Sequence, residues 1–121
     1  MKALKVISLM NEDKNDKELL FKAIDNYDVL TPSSRKVLKA LIDLSIDDTI
    51  IISIVKLSQI SSISRPVVYH AIETLKTHQY IEQSKIARNS ISYFQLKPNK
   101  FKEIIKYYET QQYVKNKYLQ T

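Results

Sequence analysis

The run Ser64-Arg65-Pro66-Val67-Val68-Tyr69-His70 sets a guanidinium, a phenol and an imidazole within a short stretch. Such groups make hydrogen bonds and carry positive charge, which suits recognition of planar, anionic partners. They form no reacting centre. His70 and His78 stand eight residues apart, but no carboxylate joins them at ligand spacing, so no metal site is expected. Serines are plentiful, yet none lies in a Gly-x-Ser-x-Gly setting and no third group completes a nucleophile-base pair. The absence of cysteine excludes disulfides, zinc-thiolate sites and thiol nucleophiles. The absence of glycine excludes phosphate-cradling loops and dinucleotide-binding turns, which need positive φ and close backbone approach. No catalysis and no cofactor is expected.

The 121 residues suffice for one domain with a helical extension, and 44% hydrophobic content supplies a core. The longest β-branched run, Thr49 to Val55, is too short for a membrane span, so a cytoplasmic protein without a membrane partner is expected. The net charge of +6 favours a polyanionic partner, because lysine and arginine release counterions from phosphate. That charge is concentrated late: residues 1–31 carry five lysines against six acids, whereas residues 97–121 carry six against two. An AT-rich coding bias would also enrich lysine, isoleucine, asparagine and tyrosine.

These groups require elements to position them. The first ten residues read as a short helix or a docked arm. Asp16 is a possible cap for a helix with Leu19, Leu20, Ala23, Ile24 and Tyr27 on one face. Thr31-Pro32 starts another, with Val37, Leu38, Leu41, Ile42 and Leu44 inward, ended by Asp47-Asp48. Thr49 to Ser53 reads as a strand. Ser53 then caps a short helix, Ile54 to Ser61, with Ile54, Leu57 and Ile60 inward. Ser64 caps the next, which carries Val68, Ala71, Ile72 and Leu75 in its core stripe and ends near His78. Ile81 to Arg88 and Ile91 to Leu96 form a hairpin around Asn89-Ser90, with Phe94 and Leu96 on one face and Tyr93 on the other. After Lys97-Pro98, Asn99 can cap a last helix from Lys100 to about Tyr118. The fold class is mainly α with a small β-hairpin. The expected division is 1–30, an arm and helix; 31–97, the functional domain; and 98–121, the terminal helix.

Helix, strand, short helix, turn, longer helix and hairpin is the order in which a short helix braces a second one for insertion into a DNA major groove. Residues 35–97, and Leu57 to Leu75 above all, resemble the winged helix-turn-helix core of MarR-type transcriptional regulators. The resemblance falls on Leu57, Ser58, Ser62, Ile63, Ser64-Arg65, Val68, Ile72, Leu75 and Tyr80-Ile81. Two residues depart from the family pattern: Ser62 stands where glycine is commonest, raising the cost of a left-handed turn, and Pro66 is unusual.

The resemblance implies double-stranded DNA as partner. Arg65, Val67, Tyr69, His70, Glu73, Thr74, Lys76 and Thr77 face away from the core stripe and are the candidate DNA contacts. Of these, Arg65, Val67, Tyr69 and His70, near the helix start, are the candidates for reading bases, Arg65 being suited to guanine. Ser53, Ser64, Thr74 and Lys76 are candidates for phosphate. Lys85, Arg88 and Asn89 lie toward the hairpin tip, where they would reach the minor groove or backbone. In the last helix, Ile104, Tyr107, Gln111, Val114 and Tyr118 form one stripe, and Phe101, Ile105, Tyr108 and Gln112 a neighbouring one. Packing against residues 19–27 would cover that face. A homodimer interface, with Phe101, Ile104, Ile105, Tyr107, Tyr108, Val114 and Tyr118 as its residues, is the preferred expectation. The stretch from Leu57 to Phe101 also resembles, more loosely, small plasmid replication initiators, and a protein-docking winged helix is a third reading. No small-molecule effector is legible.

Overall fold

The computed structural model describes residues 14–86 and 91–119. Its elements are α1 (Lys14–Asp25), α2 (Pro32–Leu44), β1 (Thr49–Ser53), α3 (Ile54–Ser61), α4 (Arg65–Thr77), β2 (Ile81–Ile86), β3 (Ile91–Leu96) and α5 (Pro98–Leu119). The mainly helical class with a β-hairpin is therefore observed, with β1 added to make a three-stranded antiparallel sheet ordered β1-β3-β2. The expected arm at residues 1–10 lies outside the described residues.

Several boundaries follow local chemistry. Thr31 is the N-cap of α2, its hydroxyl accepting from the Ser34 amide at 3.2 Å, and Pro32 opens the helix, where its missing amide costs nothing. Ser53 does the same for α3, accepting from the Lys56 amide at 3.1 Å. Three caps differ from expectation. Asp16 sits inside the first turn of α1, which already begins at Lys14. Ser64 holds the N-cap position of α4 with extended backbone but makes no side-chain cap bond. Asn99 lies within α5, because Pro98, with its fixed φ, takes the first helical position.

One hydrophobic cluster runs from Leu20 to Ile104 and draws on every described element. The α1 stripe of Leu20, Ala23 and Ile24 is buried with Tyr27 just beyond the helix, as are Val37, Leu38, Leu41 and Ile42 of α2. In the sheet, Ile50 pairs with Phe94 and Ile81 with Leu96, so the pleat turns all four inward. In α3, Ile54 and Leu57 are buried but Ile60 is 44% exposed; spacing of three then four continues the inner face to Ser61 instead. Ser61 is tolerated there because its hydroxyl donates to the Leu57 carbonyl at 2.6 Å.

The helix pair α3–α4 is fixed by a turn that a glycine-free chain must build without glycine. Ser62 adopts φ 57, ψ 41, while the Ile63 amide bonds the Ser58 carbonyl at 3.2 Å and the Ser62 amide the Gln59 carbonyl at 3.3 Å. These paired bonds are the Schellman arrangement, with serine in the left-handed position that usually holds glycine. The Ser58 hydroxyl reinforces it by donating to the Ile63 carbonyl. A β-carbon in that region costs roughly 1–2 kcal/mol, against about 0.5–1 kcal/mol of extra chain entropy lost by glycine. Ser62→Gly should therefore stabilise by about 0.7 kcal/mol, a rise of about 3 °C in thermal midpoint. A lower midpoint would mean that the serine side chain supports the turn more than its backbone strains it.

Candidate nucleic-acid interface

Helix α4 buries Val68, Ala71, Ile72 and Leu75 and turns its opposite face to solvent. Pro66, His70, Glu73 and Thr77, spaced four, three and four, form the midline of that face, and all four are exposed. Arg65 and Tyr69 lie on one flank and Val67 and Thr74 on the other; Tyr69 is 52% and Val67 38% exposed. The residues chosen for base reading therefore share an open surface, but they straddle its midline. Glu73 and Thr77 lie on the outward face where helical spacing puts them, though outside the base-reading set, and Pro66 joins them there without having been a candidate.

Both ends of α4 are pinned. At its start the Val68 amide bonds the Ser64 carbonyl at 2.9 Å, directly after the Ser62 turn. At its end Gln79 takes φ 65, the Tyr80 amide bonds the Leu75 carbonyl at 3.0 Å, and the Gln79 amide bonds the Lys76 carbonyl at 2.9 Å. This is a second glycine-free Schellman cap, with Leu75 and Tyr80 both buried beside it. The exposed face thus belongs to a helix held between two fixed turns.

Other candidates have local duties. The Ser53 hydroxyl is occupied as the cap of α3. The Thr74 hydroxyl donates to the His70 carbonyl at 3.1 Å. Lys76 bonds the Glu73 carboxylate at 3.2 Å and the Gln83 side-chain carbonyl at 3.3 Å, and Gln83 donates in turn to Ser92 at 3.0 Å. Ser64 is exposed and available. Lys85 is placed in β2 opposite Ser92. Arg88, Asn89 and the expected Asn89-Ser90 turn lie outside the described residues.

The last helix needs correction. Phe101 and Ile104 are 2% and 0% exposed within the single chain, so they are core residues with no surface to give a partner. Ile105, Tyr107 and Tyr108 pack partly against the same core. The reason is α1, which packs on α5, and the turn after it, where Tyr27 meets the Tyr107 ring edge-on at 5.2 Å. The Tyr107 hydroxyl donates to Asp28 at 2.7 Å, and this bond to a carboxylate raises the tyrosine pKa. Beyond it, Tyr113, Val114 and Tyr118 are exposed, at 66%, 43% and 75%.

Compared with solved structures, the chain matches a possible transcriptional regulator from Methanosarcina mazei Go1 at 12% identity. That match covers 87% of this chain and 88% of the other, with a TM-score of 0.51. It matches the transcriptional regulator BldR from Sulfolobus solfataricus at 12% identity over 98% and 83%, TM-score 0.51. It also matches NadR in complex with 4-hydroxyphenylacetate at 15% identity over 93% and 79%, TM-score 0.51. The fold is the winged helix that these solved structures share. In its terms α3 and α4 are the helix-turn-helix, β2 and β3 the wing, and α1 and α5 the flanking helices. No family model and no curated protein sequence matches the chain.

Among the described residues no group of three histidines, cysteines or carboxylates could hold a metal. Nor, among them, is any helix long and apolar enough to cross a membrane.

Proposed function

We propose that this winged helix binds double-stranded DNA sequence-specifically and acts as a transcriptional regulator, with α4 in the major groove and the wing on the minor groove or backbone. The observation that carries the reading is the exposed face of α4. It runs from Arg65 to Thr77, begins directly after the Ser62 turn and is closed at its C-terminal end by a backbone cap. A major groove admits a helix of this kind, and the positive charge of the chain suits phosphate. The solved winged helices described as transcriptional regulators support the same reading.

The proposed assembly is a homodimer joined through the outer half of α5, where Tyr113, Val114 and Tyr118 are exposed beyond the part packed on α1. Two such helices would set the spacing of two recognition helices on paired half-sites.

Selection of bound duplexes from a random pool tests both statements. Enriched sites should contain two half-sites about one helical turn, roughly 10 base pairs, apart. Arg65→Ala should then lose about tenfold in affinity for the enriched site and relax one base preference, the loss expected of one good contact to a base edge. Equal affinity for enriched and scrambled duplexes at physiological salt would overturn sequence-specific binding.

A further inference from the structure

Glu73 is a carboxylate on the midline of a surface assigned to a polyanion. It is exposed, with 68% of its side chain open to solvent, and it stands between His70 and Thr77, each about a turn away. With α4 docked in the major groove as proposed above, a residue on this midline would face the floor of the groove and not the phosphates along its edges. An anion on a DNA-facing surface opposes binding through the field of the phosphates unless a donor receives it. The donors that base edges offer in the major groove are the amino groups of cytosine and adenine.

We propose that Glu73 is a base-reading residue that accepts a hydrogen bond from the N4 amino group of a cytosine. This rests on the DNA-binding reading given above. An ionised carboxylate is acceptor-only. Beside adenine N6 stands N7, a second acceptor that repels the other carboxylate oxygen; beside cytosine N4 stands only a C–H edge. Guanine and thymine present acceptors where a donor is needed. Cytosine is the base that remains.

The structure also holds the carboxylate in place. Lys76 Nζ bonds Glu73 Oε1 at 3.2 Å and Gln83 Oε1 at 3.3 Å, and Gln83 Nε2 donates to Ser92 Oγ at 3.0 Å. Ser92 is 2% exposed, so this chain of bonds runs from the interior of the sheet to the reading face of α4. An exposed pair three residues apart on a helix contributes little to stability by itself. Its consequence is positional: the ammonium fixes one carboxylate oxygen and offsets part of the repulsion from phosphate.

Duplexes enriched by the wild-type protein, with each base pair varied in turn, provide the test alongside a scrambled duplex. Wild type should prefer cytosine at one position of the half-site by about tenfold, the size expected of one specific base contact. Glu73→Ala should bring that preference within about threefold while leaving the scrambled duplex bound as well as before or better, since an anion has been removed. Glu73→Gln should move the same position toward adenine, because a glutamine amide both donates and accepts, as adenine N7 and N6 require. Unchanged preferences at every position in both variants would overturn the role of Glu73 while leaving DNA recognition intact. If wild type enriches no duplex, the DNA-binding reading falls and takes this proposal with it.

Discussion

Tyr80→Ala should lower folding stability by about 4 kcal/mol, the range for emptying a buried aromatic site, and thermal unfolding should begin about 15 °C earlier. Tyr80 is 2% exposed and stands directly after the cap that ends α4. Its ring meets Tyr27 edge-on at 6.3 Å, lies 6.3 Å from Phe101 and stacks with His78 at 6.0 Å. Its hydroxyl shares a buried 2.8 Å hydrogen bond with that of Tyr27, and its carbonyl accepts from the Lys97 amide at 2.9 Å. One residue thereby ties α4, the wing, α5 and the turn after α1. Burial, and then the bond to Tyr27, keep its phenol protonated far into the alkaline range.

The hydroxyl pair can be separated from the ring. Tyr80→Phe should cost about 1.5 kcal/mol, because Tyr27 is left with a buried hydroxyl lacking its partner. Adding Tyr27→Phe should cost little more, since both polar groups are then gone. Additive losses in the double variant would show that the two hydroxyls do not stabilise one another. Because Tyr80 closes the α4 cap, amide exchange at Gln79 and Tyr80 should accelerate in Tyr80→Ala beyond the change seen across α2.

How much of this was legible depends on whether a feature is local. Thr31-Pro32 and Ser53 announced the starts of α2 and α3 because capping is settled within four residues. The strand pairing of Phe94 and Leu96 with the core followed from period-two parity. The open face of α4 followed from helical period, which put Glu73 and Thr77 among the candidate contacts; the base-reading set was drawn from the N-terminal turns and left them out, and Pro66 was passed over. Partners across the chain were not legible. Periodicity found the apolar face that holds Phe101 and Ile104, but nothing near them decides between cover by residues 19–27 and cover by a second copy, and the second copy was preferred where α1 is the partner. The bond between Tyr27 and Tyr80 spans 53 residues, and no spacing rule reaches that far.

The turn after α2 carries the second large effect. Asp47-Asp48 was legible as the end of a helix. What the structure adds is a two-residue hairpin: Ile46 and Thr49 exchange both backbone bonds, at 2.9 and 3.0 Å, across residues with φ 51 and 63. Two positive φ values fit a primed turn, whose second position favours glycine. Burial, reinforced by the charge of Asp47, raises the Asp48 pKa to about 6. The folded value lies above that of the unfolded chain, so the neutral carboxyl's contribution is full below about pH 4 and is lost as pH rises through about 6. At pH 7 the ionised group costs the fold about 1 kcal/mol after discounting for its solvent exposure. Asp48→Gly keeps the backbone carbonyl that accepts from the Leu96 amide at 2.8 Å, and removes both the carboxylate and the β-carbon. The variant should exceed wild type by about 0.7 kcal/mol at pH 4 from the backbone alone, and by about 2 kcal/mol at pH 7. Denaturant titrations across that interval decide it, because a difference that stays constant with pH would assign the whole gain to the turn and none to the carboxyl.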